Sequence, residues 1–191
     1  MNAAIRAITR AAIYHGLKVK AIYRGYKGLI TGEIKEFKTE DVSNIIQRGG
    51  TILKTSRCEE FKTFEGRSLA YDTMVREGID ALVVVGGDGS ITGAYNLAKD
   101  FDIPVLCYGL RTDFRTRAFT GSQRLFEIAD RLIELETFCE CGKKAVLTAK
   151  FNNGKLVLSG NQIDIGGDEK YKAMCYRCWR NFKLNRECED E

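Results

Sequence analysis

The sequence predicts an α/β fold, a partial parallel sheet with flanking helices followed by a small ribbon subdomain. Three observations carry that prediction. Two β-branched runs, "ALVVVGG" (81–87) and "IPVLCYG" (103–109), read as strands buried on both faces. Between them "ITGAYNLAKD" has helical spacing, so the region reads as strand, helix, strand with the strands parallel. Beyond residue 136, short β-like runs are bracketed by two cysteine pairs, which points to a zinc-ribbon subdomain.

The remaining elements come in chain order. "MNAAIRAITRAAIYHG" (1–16) is Ala-rich, carries apolar residues at helical spacing and ends on Gly16 as a helix stop. "LKVKAIY" (17–23) alternates like a strand. "TEDVSNIIQRGG" (39–50) reads as a short helix with Thr39 as N-cap, and "TILKT" as a brief strand. "EGRSLAYDTMVREG" (65–78) is an amphipathic helix closed by glycine. "GSQRLFEIADRLIELE" (121–136) is another, with Leu125, Ile128, Leu132 and Leu135 on one stripe. "KAVLTAKF" and "KLVLSG" are ribbon strands, and the tail "NRECEDE" reads as frayed and solvated.

The 191 residues suit one domain or two small ones. A formal charge of +4 spread along the chain, without a basic run, gives no sign of a nucleic-acid partner. No apolar stretch approaches the roughly 20 residues a membrane helix needs. No secretory signal opens the sequence, and seven cysteines then point to a reducing, cytoplasmic setting. His15, the single histidine, reads as structural rather than as an acid–base group.

In "VVVGGDGS" a strand ends in Gly86, Gly87 and Gly89 and a helix begins near Ser90. Glycines let a backbone approach phosphate oxygens, and free N–H groups at a helix start face an anion. Asp88 is placed to bind Mg²⁺, which prefers carboxylate plus phosphate oxygens. The alternative is an ordinary tight turn with Asp88 and Ser90 as helix caps. The spacing fits neither a Walker A loop nor the dinucleotide fingerprint.

Cys139 and Cys141 form a C-x-C pair, and Cys175 and Cys178 a C-x₂-C pair, separated by 33 residues. Four soft thiolates suit a closed, tetrahedral, structural Zn²⁺ site; the alternative is buried or free thiols. Cys58, Cys107 and Cys188 are expected to carry no ligand.

Residues 1 to about 98 resemble the N-terminal part of ATP-dependent 6-phosphofructokinases. The resemblance rests on "MNAAIRAITRAAIYHGL", "IYRGYKGLI", "VSNIIQRGGTILKTSRCEEF", "EGRSLAYDTMVREGIDALVV" and "GGDGSITGA", in family order and at family spacing. It implies ATP-side positions at Arg57, Cys58, Gly87, Asp88, Gly89 and Ser90, with Asp88 near Mg²⁺. It also implies effector-side positions at Arg6 and Arg10, although a third basic effector position falls on Thr39 here. The family has a strand and a phosphate turn before "MNAAIR" that this sequence lacks, so the segment is expected to be truncated. Where the family carries "GTIDND", with the base for the sugar hydroxyl, this chain has "YGLRTDF". Asp113 is the candidate carboxylate there.

From about residue 103 onward the chain resembles the C-terminal part of cellular-type thymidine kinases. The matching stretches are "IPVLCYGLRTDF", Phe119–Ser122, "ADRLIELETFCECGKKA", "IDIGGDEKY" and "CYRC". The implied nucleoside-side residues are Phe114, Gly166 and Tyr171; the alternative for the two aromatics is core or hinge packing. The same resemblance supports the zinc site. That family's P-loop and acidic pair are missing.

The expected organisation is a phosphofructokinase-like nucleotide-binding segment over 1–102 and a thymidine-kinase-like segment with a zinc ribbon over 103–191. The expected function is that of an ATP-dependent phosphotransferase with a Mg-ATP site in the first half and structural zinc in the second, weak or inactive because both sites are incomplete. Alternatives are a thymidine kinase, or a non-catalytic chimera that binds only Mg-ATP or zinc. Fructose 6-phosphate or thymidine would be the small-molecule substrate, and homo-oligomers are compatible with both resemblances.

Overall fold

The computed structural model describes residues 1–162 and 170–189, the last five by backbone alone. The chain divides into two compact units, Met1–Tyr108 and Gly109–Glu191.

The first unit opens with α1 (Asn2–Tyr14). Its apolar spacing buries Ile5 against Ala21, Phe37, Val42 and Ile45. The helix ends as the sequence predicts: Gly16 turns left-handed at φ +76°. Gly16 N–H then reaches Ile13 O and Leu17 N–H reaches Ala12 O, the pairing of a glycine-closed helix. β1 (Val19–Ile22) pairs antiparallel with β2 (Ile34–Phe37), from Val19 opposite Phe37 to Ile22 opposite Ile34. α2 (Tyr26–Thr31) bridges them. Its Gly28 is obligatory, because a Cβ there would lie 1.7 Å from the Tyr23 carbonyl oxygen.

The stretch 39–55 departs from expectation. Thr39–Val42 is a single 3₁₀ turn, and residues 43–55 are irregular, with Asn44 at φ +52° and Lys54 at φ +60°. Thr39 is no N-cap; Asp41 instead accepts the Lys38 N–H at 2.8 Å. "TILKT" forms no strand because its polar backbone is used elsewhere. Ile52 N–H donates to the buried Asn2 Oδ1 at 2.9 Å, and Leu53 O accepts from Arg24 N at 2.8 Å. Asn2 also donates to Arg48 O, so one α1 side chain clips the whole loop in place.

α3 (Phe64–Glu77) has Thr63 as N-cap, its Oγ1 accepting from Gly66 N–H at 3.1 Å, and Gly78 as left-handed stop. β3 (Leu82–Val85) and β4 (Val105–Tyr108) pair in parallel, with Leu82 opposite Val105 and Val85 opposite Tyr108. α4 (Asp88–Phe101) is the crossover between them. Leu82, Val84, Ala94, Leu97, Ala70, Met74, Leu29 and Phe61 form the core beneath. Arg67 ties the unit together. Its Nε meets Asp100 Oδ2 at 2.6 Å and its Nη1 donates to Lys62 O at 2.7 Å, joining α3 to α4.

β3 is not buried on both faces. Val83 is 39% exposed and its register partner Leu106 is 50% exposed, so one face of the pair is bare. Among the described residues β3–β4 is also the one parallel pairing, in keeping with the partial parallel sheet expected.

In the second unit α5 (Thr120–Ile128) is half the predicted length, and 129–138 continues without helix. The stripe of Leu125, Ile128, Leu132 and Leu135 is therefore broken. An amphipathic helix draws most of its stability from the surface it packs on, and Leu132 and Leu135 face solvent. The two expected ribbon strands form as β5 (Leu147–Asn152) and β6 (Lys155–Val157), and a third that the sequence did not mark, β7 (Tyr171–Met174), pairs on the other side of β5, all antiparallel. α6 (Tyr176–Glu189) closes the chain, so the tail expected to fray is helical to Glu189.

Candidate functional site

Local packing builds the glycine turn. Gly86 has no room for a side chain, since a Cβ would lie 2.7 Å from the Ser90 side chain. Gly87 and Gly89 differ: a Cβ at either meets nothing within 4 Å, so the space in front of the turn is open. α4 starts at Asp88, two residues earlier than the sequence suggested, with Gly87 as its N-cap and the first helical bond running from Ile91 N–H to Gly87 O. The amides ahead of Ile91 lie in the first turn, where intrahelical acceptors are lacking and the helix dipole is positive. Asp88 sits half-buried at this end, and Ser90 packs against Gly86.

Tyr26 carries a role that sequence reasoning missed. Its hydroxyl donates to Ser90 O, and its ring stacks on Phe61 with centroids 3.8 Å apart. A Cβ on Gly93 would come within 2.8 Å of the Tyr26 ring. Burial, with a smaller contribution from Cys107, pushes the Tyr26 hydroxyl well above the ordinary tyrosine range, so it stays a donor. The signal was the spacing of aromatic and glycine across "YKG" and "TGA", legible only once the two segments face each other.

The other implied ATP-side residues lie apart in character. Arg57 is exposed, whereas Cys58 packs against the core cluster that holds Leu82, Val84 and Ala94. Arg6 donates to Val42 O at 2.7 Å, while Arg10, one turn later, is exposed. His15 is exposed and its ring meets Tyr14 edge-on, in keeping with a structural role. A cavity of about 430 Å³ lined by Tyr23, Arg24, Glu33 and Lys54 lies at the β1–β2 end, and the Arg24–Glu33 ion pair forms part of its wall.

Asp113 is 2% exposed and fully engaged. One carboxylate oxygen accepts from the backbone N–H of Arg115 and Arg117 at 2.9 and 3.0 Å, the other from Arg115 Nε and Nη2 at 2.9 and 2.8 Å. Burial works to raise this carboxyl, but the Arg115 side chain and those two amides outweigh it and hold it below the usual carboxylate range. Asp113 thus organises its own turn and is a poor proton acceptor. Phe114 is 2% exposed, with Lys150 Nζ 4.9 Å and Arg115 Cζ 5.9 Å from its ring centroid. Lys150 is also the register partner of Tyr171. Gly166 and the Cys188 side chain lie outside the described residues.

The four cysteines come together as predicted. Cys139 and Cys141 sit on a knuckle closed by Cys139 N–H to Lys143 O and Gly142 N–H to Cys139 O, with Gly142 at φ +79°. Cys175 directly follows β7 and Cys178 lies in the first turn of α6, its N–H donating to Cys175 Sγ at 3.5 Å. All four sulfurs lie within 4.8 Å of one another, and Cys141 and Cys175 are 3.7 Å apart. A tetrahedral metal with thiolate bonds of about 2.3 Å requires sulfurs about 3.8 Å apart, so the cluster has the size of a four-thiolate metal site.

The four thiols act strongly on one another's ionisation. The backbone amides of Cys141 and then Cys175 pull Cys139 down to about 7, while hydrogen bonding to Cys141 and Cys175 pushes Cys178 up to about 12. Without a cation the cluster resists a full complement of thiolates. The indole N–H of the buried Trp179, packed beside Cys139 and Cys175, has no partner among the described residues.

Comparison with known proteins locates both halves. The phosphofructokinase family model matches residues 1–109 and the thymidine kinase model residues 88–179, overlapping across α4 and β4. An ATP-dependent 6-phosphofructokinase 2 of Bacteroides thetaiotaomicron is 74% identical over 110 residues, covering 58% of this chain and 33% of that protein. An ATP-dependent 6-phosphofructokinase of Clostridium botulinum is 61% identical over 99 residues, 52% of this chain and 31% of that one. The crystal structure of Pichia pastoris phosphofructokinase in the T-state superposes with a TM-score of 0.53 at 45% identity, covering 58% of this chain and 13% of that one. The chain spans about a third of the length of the curated relatives it matches. Among the described residues no helix is long and apolar enough to cross a membrane.

Proposed function

Because the chain belongs to the phosphofructokinase family through residues 1–109, with a thymidine kinase match beginning at residue 88, we propose that its first unit is a Mg-ATP-binding half-site of an ATP-dependent phosphotransferase. The observation that carries this reading is the open glycine turn. Gly87 and Gly89 leave open space on the approach to the α4 N-terminus, where first-turn amides lacking intrahelical acceptors and the helix dipole would receive an anion. Asp88 would hold Mg²⁺ against the phosphate oxygens. Arg57, Cys58 and Ser90 are the further ATP-side residues, and Arg6 and Arg10 the effector-side ones.

Phosphoryl transfer also needs an acceptor held in line and a group to take its proton. Asp113 has both oxygens committed to Arg115 and Arg117, so this reading predicts ATP binding with little or no turnover. The second unit then supplies a structural zinc site at Cys139, Cys141, Cys175 and Cys178, supported by four sulfurs that all lie within 4.8 Å of one another. Zinc there would cross-link the knuckle to the start of α6 and leave no position for catalysis. Phe114 and Tyr171, near Lys150, are the residues for a nucleoside in the thymidine kinase alternative. We divide the chain functionally at 102/103, where the nucleotide-binding segment gives way to the thymidine-kinase-like one.

The test is calorimetric titration of Mg-ATP into the zinc-loaded chain and its Asp88→Ala variant, beside ADP-release assays with fructose 6-phosphate and with thymidine. Binding that falls about tenfold or more in the variant, with no acceptor-dependent ADP release, supports the reading. Equal ATP affinity in both proteins overturns it.

A further inference from the structure

α5 stops without a stop signal. Ala129 turns extended at φ −70°, ψ 133°, yet 129–136 reads Ala-Asp-Arg-Leu-Ile-Glu-Leu-Glu, with no glycine or proline to end a helix. Leu125, Ile128, Leu132 and Leu135 recur at steps of three, four and three, the a/d spacing of two heptads. The described neighbours leave this seam uncovered: Leu132 is 57% and Leu135 72% exposed, and Ile133 and Phe126 beside them are exposed as well. A helix with no surface to pack on frays where its own propensity ceases to suffice.

Charge placement says what fits the seam. In this heptad Arg131 takes a g position and Glu136 the e position five residues later, the spacing at which parallel helices pair across their interface. Arg131 is exposed, and Glu136 meets Lys144 only at the long distance of 3.8 Å. A second copy of the same segment therefore presents a matching apolar seam and an opposite charge at each flank.

We propose that residues 120–136 are a self-association element, which extends from α5 into one continuous helix when it pairs in parallel with the same segment of another copy. Pairing covers Leu125, Ile128, Leu132 and Leu135 and exchanges the long Glu136 contact to Lys144 for an interchain pair with Arg131. Two heptads make a weak seam, so association is expected to depend on concentration.

The test is sedimentation equilibrium with parallel far-ultraviolet circular dichroism on the full, zinc-loaded chain from about 1 to about 100 µM. The expected result is a shift from the monomer to two or four copies, with a gain of helix signal over the same range. Leu132→Glu abolishes both changes while the Trp179 fluorescence of the ribbon stays as in the parent, which shows that the unit is folded. Arg131→Glu and Glu136→Arg each weaken association by about fivefold, and the two together restore it. Monomer mass throughout overturns the proposal. So does association that ignores Leu132→Glu, which would place the contact on another surface, or a charge-swapped pair that fails to recover.

Discussion

Replacing Arg67 by methionine removes a cation but keeps an apolar stem of similar length. In the parent, Arg67 Nε holds Asp100 Oδ2 at 2.6 Å, and its Nη1 serves the Lys62 carbonyl at 2.7 Å and the Phe61 carbonyl at 3.3 Å. The side chains of the pair are 10% and 18% exposed, so the ion pair is mostly but not wholly sheltered. Removing one partner of a sheltered pair costs about 3–5 kcal/mol, and the remaining exposure argues for about 3. Asp100→Asn retains an acceptor for Nε and should cost about 1–2 kcal/mol. If the two groups act mainly on each other, the double variant should recover about 1.5 kcal/mol of the summed loss. With a urea slope of about 1.5 kcal/mol/M for a unit of this size, Arg67→Met lowers the first unit's midpoint by about 2 M. The assay is urea unfolding by circular dichroism, with the chain's single tryptophan, Trp179, reporting the second unit separately. Because α4 begins at the glycine turn and carries Asp100 near its other end, the same variant should weaken Mg-ATP binding. Single losses below about 1 kcal/mol that simply add would refute the assignment of Arg67 as the clamp between α3 and α4.

Asp113→Asn should destabilise the second unit by about 2 kcal/mol, read by chemical unfolding, because two backbone amides and a guanidinium lose a carboxylate. The sign with pH comes from a folded carboxyl held below its ordinary value. Asp113 contributes stability above its unfolded pKa of about 3.9 and loses it as pH falls through the lower folded value. The variant should lack that acid-side loss, and an identical acid limb in both proteins counts against the assignment. Chelation of a zinc-loaded sample should lower the melting temperature of the ribbon and change the Trp179 emission, with zinc but not magnesium restoring both. Insensitivity to chelation, with zinc absent by elemental analysis, would leave the four thiols as packing groups.

Much of the architecture is legible residue by residue. Gly16 and Gly78 mark helix ends because only glycine takes the left-handed turn cheaply, and both do so. The spacing of four cysteines brings them into one cluster because a ribbon joins the two knuckles. Other features depend on contacts the pattern does not carry. "TILKT" has strand-like residues, but its amides and carbonyls are taken by Asn2 and Arg24 from elsewhere in the unit. The apolar stripe on 121–136 is real in sequence, yet a helix needs a surface as well as a pattern, and α5 ends at Ile128. At the candidate site the glycine turn was visible in the sequence, whereas Tyr26 became apparent only when α2 and α4 met. Asp113 was chosen by position; its neighbours Arg115 and Arg117 determine what it does.

The two-stranded sheet at β3 and β4 has a further consequence for hydrogen exchange and strand grafting. Leu82 N–H is held by Pro104 O and Gly86 N–H by Tyr108 O, so alternate amides of β3 are locked across the pair. The amides of Val83 and Val85 point to the opposite edge, where this sheet has no further strand among the described residues. Protection along β3 should therefore alternate, slow at one residue and fast at the next. A short peptide of matching apolar pattern added along that edge would slow the fast set, leaving the pairing with β4 intact. The strand just ahead of the region where the two family matches overlap thus retains a strand-acceptor edge on which further sheet could be built in trans.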